Sequence, residues 1–347
     1  MEDGLILVTG ASGFLGRHLV TYLADSGYPV RALVRAHSHT RYLQDRAELA
    51  VGDVRDAASV ERAVAGCQYV VHAAALFRFW GEEQDFEQTN VTGTVNVMEA
   101  ALRHRVEKVV HVSTAAVVGM PPADGCIDES TPCYPQDAYQ RSKLQGEKMV
   151  RMLCQSARLP AVLLRPGAFY GPWGHYAFNR LFFEDPLKGL RIQVHRGRRL
   201  IFPVFVPDVA RAILTALKVG RPGETYNVSG EPISHREANT IISRLAGISP
   251  FRLNIPEAVM LTVAGLWTRL APLTHHEPYY PITLAPYVFH DWRVCSDKAR
   301  VELGFVPTPF EEGARQTLEW YWDSGLYRRP KTAPVAPVSD PAVVGRK

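Results

Sequence analysis

Little in this chain marks it as a specialised class, and each shortage excludes something. Cysteine is scarce and odd in number: Cys67, Cys126, Cys133, Cys154 and Cys295 are scattered along 347 residues. No pair has CxxC spacing, so neither a zinc site nor a disulfide framework is suggested, and a reducing compartment is expected. Excess charge is lacking too. Thirty-nine basic residues stand against 35 acidic ones, a formal net charge of +4. That excess is spread out and too weak to argue for nucleic acid. Long hydrophobic runs are missing. The longest weakly charged stretch, Ala258 to Thr268, lies between Glu257 and Arg269, far short of the roughly 20 apolar residues that span a bilayer. The start runs from Gly4-Leu5-Ile6-Leu7-Val8 straight into a glycine turn, without the pattern of a cleavable signal. No internal repeat is visible. With 46% apolar and 21% charged residues, the composition is that of an ordinary folded protein.

What is present is rhythm. Leu5–Val8, Val30–Val34, a short strand around Leu49–Val51, Tyr69–His72, Lys108–Val112 and Ala161–Leu164 read as buried strands. Helices read at Phe14 to Ser26, Ala58–Ala65, Thr92–Arg103 and Ala138–Ala157 between them. Alternation of this kind builds βαβ units, hence an α/β, Rossmann-type doubly wound parallel sheet. The reading assigns residues 1–171 to that core. Residues 172–327 form a smaller, mostly helical C-terminal lobe that also returns elements to the core. Helices are expected there at Pro207–Lys218, His235–Ala246, Pro256–Leu270 and Phe310–Ser324. Residues 328–347, rich in proline and small residues, read as a disordered tail.

Thr9-Gly10-Ala11-Ser12-Gly13-Phe14-Leu15-Gly16 follows the first strand and opens the first helix. Gly10 permits a tight turn, Gly13 lets backbone approach a pyrophosphate, and Gly16 permits close helix packing. The helix N-terminus supplies donors and a positive dipole end. The segment therefore predicts dinucleotide binding through Gly10, Ser12, Gly13, Phe14, Leu15 and Gly16. The second strand ends in Arg35, with Val34 where an NAD-preferring protein usually places an acid. An arginine can pair with a 2′-phosphate, so NADP is favoured over NAD. In Gly52-Asp53-Val54-Arg55-Asp56, Asp53 is placed to bond the adenine edge with Val54 packed on it. Equally, either acid could cap the next helix.

Tyr139-Gln140-Arg141-Ser142-Lys143 opens the helix at Ala138–Ala157. Residues four apart share a helix face, so phenol and ammonium can approach one centre. A free tyrosine titrates near pH 10 and is a poor base. A nearby lysine cation, with the positive charge of an oxidised nicotinamide, favours the phenolate and would make it usable for proton transfer. About 25 residues earlier a strand ends in Val112-Ser113-Thr114, where Thr114, or its competitor Ser113, could donate to a substrate oxygen.

Together these segments resemble the extended short-chain dehydrogenase/reductase family (the NAD(P)-dependent epimerase/dehydratase superfamily) from Leu5 to about Trp322. The matching stretches are Thr9–Gly16, Gly52–Asp56, His72–Ala75, Asn90–Ala101, Val112–Gly119, Tyr139–Lys143 and Arg165–Pro172. The resemblance implies an enzyme in which Thr114, Tyr139 and Lys143 are catalytic. Tyr139 would be the general acid/base and Lys143 would hold the nicotinamide ribose. It further implies that His72, Ala73, Ala74 and Ala75 border the middle of the cofactor, that Pro166 and Gly167 line the nicotinamide, and that Asn90 is an ordering residue. No metal is implied. A homodimer through Thr92–Arg103 and Ala138–Ala157 and a cytoplasmic location are expected.

Within that family the chain is most similar to the 3β-hydroxysteroid dehydrogenase and dihydroflavonol-reductase-like branch. Aromatic residues after the fourth strand (Phe77, Phe79, Trp80), with Tyr170 and Thr114, suggest the wall of an apolar pocket. Sugar-nucleotide enzymes tend to carry an arginine near Ile201 and a later RxGD-like signature, both missing here. The expected substrate is an apolar alcohol or ketone: steroid-like, terpenoid, flavonoid-like or a long-chain keto compound. Nucleotide-sugar epimerase/dehydratase chemistry is the alternative, and Arg196-Gly197-Arg198-Arg199 could serve it as a phosphate site or be a solvated turn. A non-catalytic dinucleotide sensor is the second alternative. The Ala258–Thr268 segment is open between a core helix, a lid and a peripheral membrane contact.

Overall fold

The structure is a computed structural model; it describes residues 4–274 and 276–329. The proline-rich tail from residue 330 onward lies outside the described residues.

Seven parallel strands form the central sheet. Their order from one edge is Thr225–Val228, Ala161–Pro166, Lys108–Val112, Tyr69–His72, Ile6–Thr9, Val30–Val34 and Glu48–Val51. Each strand is short and apolar because both faces are covered. Along the first strand Ile6 and Val8 join one core layer and Leu7 the other, as the two-residue period of a strand requires. The first layer is closed by the helices Phe14–Asp25 and Val206–Val219, through residues such as Leu19, Leu23, Val209 and Ile213. Ala57–Val64, Gly93–Arg103 and Ala138–Ala157 cover the opposite face, with Val60, Val97 and Val150 in the second layer.

Ile6–Thr9 pairs with Val30–Val34 on one side and Tyr69–His72 on the other. The chain reverses direction of travel across the sheet here. The crevice beyond the carboxyl ends of these strands is where ligands of open α/β sheets bind.

Three features differ from the sequence reading. Thr225–Val228 is a strand of the main sheet, paired to Ala161–Pro166; its four residues include the polar Asn227 and show no clear period. The helix expected from Thr92 is preceded by helical turns that begin at Glu83 and pass through a π-helical segment, Glu87–Thr92. Cys126 and Cys295, 169 residues apart, form a disulfide with their Cα atoms 5.8 Å apart. The pairing of Ile127 with Val294 brings them together, which no local spacing could reveal.

The lobe has its own aromatic core, built from Phe178, Phe182, Phe183, Ile242, Leu318 and Tyr321 among others. The helix Glu257–Thr274 is not part of it. Val259, Val263, Leu266, Trp267, Leu270 and Leu273 face outward from the helix, which argues against the core-helix alternative.

Candidate functional site

One cavity of about 700 Å³ runs from the glycine turn to the lobe. At its first end the helix Phe14–Asp25 starts without any side-chain cap on Gly13. Its first-turn N–H groups are therefore available to an anion. Gly10 has φ +71°, and a Cβ there would lie 2.7 Å from Ala74 N. A Cβ on Gly16 would lie 2.1 Å from Gly10 O. Both glycines are demanded by contact within the turn. Gly13 differs: a Cβ there would meet only Gly10 O, at 3.1 Å, and would otherwise fill the cradle. This cradle fits a dinucleotide pyrophosphate. His72 fastens the turn from behind. Its Nδ1 lies 2.8 Å from Thr9 Oγ1 and its Nε2 3.0 Å from Thr94 Oγ1, while burial lowers its pKa to about 3 and keeps it neutral. Thr9 Oγ1 in turn accepts from Ala74 N–H at 3.1 Å, fixing the alanines that border the cavity.

The adenosine end carries Arg35, Asp53, Val54 and Arg55. Arg55 donates to both oxygens of Asp53, at 3.1 and 2.8 Å. This pair, helped by Arg35, holds the Asp53 carboxyl below its ordinary range. The capping alternative resolves in favour of Asp56, which accepts from Ala58 N–H. Sequence reasoning did not single out Arg55. Its signal was its place one residue after Val54 in the Gly52–Asp56 turn. Arg31 is occupied elsewhere, donating to Glu48 and to the carbonyls of Ala63 and Ala65.

In mid-cavity stand Thr114, Tyr139, Lys143, Pro166 and Gly167. Asp137 caps the helix Ala138–Ala157, accepting from Gln140 N–H at 2.7 Å, and this fixes where Tyr139 begins its first turn. The phenol of half-buried Tyr139 stands beside Thr114, whose hydroxyl favours its ionised form. Ser113 also lines the cavity, but its buried hydroxyl has no hydrogen-bond partner among the described residues. Lys143 is buried, 2% exposed, and its Nζ donates to Val112 O at 2.8 Å. Burial lowers its pKa to about 8, against the raising influence of Glu147 one turn further on. Glu147 is forked onto Arg165, at 2.9 and 2.7 Å.

One expectation is corrected here. The phenol's pKa is raised, chiefly by burial and also by the Asp137 charge, with Thr114 working the other way. Lys143 is not among the groups acting on it; its ammonium is spent on Val112 O. The phenol is therefore protonated at neutral pH, and any lowering must come from a charge brought in by a ligand.

Beyond Tyr139 the cavity widens into an apolar chamber. Phe77 packs on the Tyr139 ring at 4.7 Å and against Phe79 and Tyr176 at 5.3 and 5.5 Å. Phe178, Phe182, Ile201 and Phe202 come from the lobe, and Leu284, Tyr287 and Val288 from its far side. Sequence reasoning missed Phe178, Phe182, Leu284 and Val288, which come from segments with no shared period. Asn90 orders the loop: its Oδ1 accepts from Leu76 N–H at 2.7 Å, and its Nδ2 donates to Leu76 O and Ser142 Oγ at 3.1 and 2.9 Å. Two pocket expectations fail. Tyr170 is 1% exposed in the lobe core, against Phe178, Phe183, Phe205 and Phe310. Trp80 turns into a separate recess with Arg78, His276 and Glu277. Arg196, Arg198 and Arg199 do not line the cavity; Arg199 pairs with Asp291 at 3.0 Å.

This combination, a parallel sheet with a glycine cradle at its crossover and a Tyr/Lys pair beside it, defines a dinucleotide-dependent enzyme class. The chain belongs to the NAD dependent epimerase/dehydratase family, which matches residues 6–229. It is 32% identical to sterol demethylase protein B of Methylococcus capsulatus, over 92% of this chain and 99% of that one. It is also 32% identical to a 4-hydroxy-2-methyl-3-oxo-4-farnesyl-3,4-dihydroquinoline-1-oxide ketoreductase of Stigmatella aurantiaca, over 86% and 91% of the two chains. Among solved structures it is similar to the dTDP-glucose 4,6-dehydratase DesIV of Streptomyces venezuelae with NAD and TYD bound. There the TM-score is 0.75 at 25% identity, covering 93% of this chain and 99% of that one.

Proposed function

We propose that this protein is an NAD(P)-dependent oxidoreductase that moves a hydride between nicotinamide and an alcohol or ketone carbon on a sizeable apolar molecule. The observation that carries the reading is the Tyr139 phenol, beside Thr114 at the junction between the glycine cradle and an aromatic chamber. The likeness to a sterol-processing protein and to a ketoreductase supports the apolar substrate. So does Ile201, which lines the cavity in place of an arginine. Nucleotide-sugar chemistry, as in the dehydratase of similar fold, would need cations for a diphosphate beyond Tyr139, and the chamber there is built mostly of Phe, Tyr, Leu, Ile and Val side chains, with the imidazoles of His175 and His235 and, among the described residues, a single guanidinium, Arg78.

The bound dinucleotide supplies the hydride donor or acceptor. The chain's own residues do the rest. Tyr139, protonated at neutral pH, gives its proton to the oxygen that gains negative charge during reduction, and takes one back in oxidation. Thr114 donates to the same oxygen and holds it in place. Lys143 stays positioned by Val112 O and would meet the ribose hydroxyls. Phe77, packed on the Tyr139 ring, forms part of the chamber wall beside the reacting centre. At the adenosine end Arg35 offers a guanidinium group to a 2′-phosphate, and Arg55 neutralises the Asp53 carboxylate beside it, which favours NADP over NAD. A cytoplasmic location and a homodimer through Gly93–Arg103 and Ala138–Ala157 complete the proposal.

Tyr139→Phe is the test. Dinucleotide affinity by fluorescence titration is expected to stay within about twofold, while turnover of an apolar ketone falls roughly 100-fold or more. Turnover at the wild-type rate would overturn the assignment. Dinucleotide binding by the wild type without turnover of any ketone would favour a sensor.

A further inference from the structure

The helix Glu257–Thr274 is built inside out. Its deeply buried side chains are the small Ala264 and Ala271, 7% and 2% exposed. Val259, Val263, Leu266, Trp267, Leu270 and Leu273 are 38% to 79% exposed. Their spacing of four, three, one, three and three residues lays them along one stripe of the helix. Phe251 and Leu253, just before the helix, are 69% and 54% exposed. A contiguous apolar surface of this kind on a water-facing helix implies an occupant.

The charge around it says which. From Lys188 to Arg199 the chain carries five lysine or arginine residues and no acid. This basic segment is fastened to the apolar surface. Ile192 pairs with Leu253, Arg196 N–H donates to Asn254 Oδ1 at 2.7 Å, and His195 lies 2.7 Å from the Glu257 carboxylate. Arg196 and Arg198 are exposed and hold no carboxylate partner among the described residues, and the same is true of Arg269 on the helix itself. No helix among the described residues is long and apolar enough to cross a membrane. Apolar side chains with three such guanidinium groups on the same and the adjoining segment complement an anionic lipid surface: acyl chains beneath, phosphates beside them. The helix is also continuous with the cavity wall. Thr268 Oγ1 accepts from Ile282 N–H at 3.0 Å, and the next turns carry the cavity residues Leu284, Tyr287 and Val288.

We propose that Glu257–Thr274 seats the protein on an anionic bilayer, lying in the plane of the interface, with the wall of the substrate cavity directly behind it. Delivery of an apolar substrate from the bilayer into that cavity rests on the function proposed above. The docking itself does not, so a binding assay separates the two.

The experiment is flotation of the full-length protein with vesicles of phosphatidylcholine, with or without about one third phosphatidylglycerol. Flotation is expected with the anionic vesicles and is expected to fade in high salt. The double variant Leu266→Glu/Leu270→Glu changes only exposed side chains. It should keep the wild-type melting temperature and bind anionic vesicles roughly tenfold or more weakly. Arg196→Gln/Arg198→Gln/Arg269→Gln should lose the preference for anionic lipid. Absence of wild-type flotation would overturn the proposal, as would equal flotation of the double glutamate variant. A wild type that never floats but is dimeric, and becomes monomeric in that variant, would assign the surface to a second copy instead.

Discussion

Replacing Lys143 by methionine should make the dinucleotide-free protein more stable. The ammonium is 2% exposed, and burial lowers its pKa from 10.5 to about 8. A depression of that size corresponds to roughly 3 kcal/mol spent on keeping the charge inside. The folded protein releases this proton near pH 8, the unfolded chain near 10.5. Between those values the unfolded chain binds more protons, so stability rises with pH. The cost is full at pH 7 and falls to about 1 kcal/mol by pH 10. Methionine has a similar length and no charge, but it loses the bond from Nζ to Val112 O, which takes back about 1 kcal/mol. Lys143→Met is therefore expected to gain about 2 kcal/mol at pH 7 and roughly nothing at pH 10. Urea denaturation at the two pH values measures both. A variant less stable than wild type at pH 7, or an equal difference at both pH values, would refute the idea that this cation is held at a cost.

Two other outcomes follow from the same geometry. Arg55→Gln frees the Asp53 carboxylate from its fork, leaving an unpaired negative charge at the adenosine end. Affinity for NADPH should fall about tenfold and that for NADH should hold or improve; equal losses in fluorescence titrations would disprove the role given to Arg55. Gly16→Ala pushes a methyl group to 2.1 Å from the backbone oxygen of Gly10, which cannot yield without opening the turn. A loss of about 3 kcal/mol is expected in thermal or urea melts, together with the loss of dinucleotide binding. A variant that melts like wild type would contradict the packing described for the cradle.

The strand ends, the cradle and the spacing of Tyr139 and Lys143 were legible because each is a local matter. A strand repeats every two residues and a helix every 3.6, so a short window of sequence determines which side chains share a face. Gly10, Gly13 and Gly16 speak within eight residues, and Tyr139 and Lys143 within five. Other decisions belong to contacts between distant segments. Tyr170 looks like a pocket aromatic in sequence, yet the lobe closes over it. Phe178, Phe182 and Val288 carry no local mark, yet the fold brings them to one chamber. Cys126 meets Cys295 across 169 residues. The helix Glu257–Thr274 has the composition of a core element, and only its packing on two alanines leaves its large side chains outside. The titration of Tyr139 is decided the same way: burial and Asp137 act on it through space, while the lysine one turn away is drawn to a strand carbonyl. Residue order sets what neighbours along the chain can do; desolvation and long-range contact set what each side chain meets, and these exist only once the chain has closed on itself.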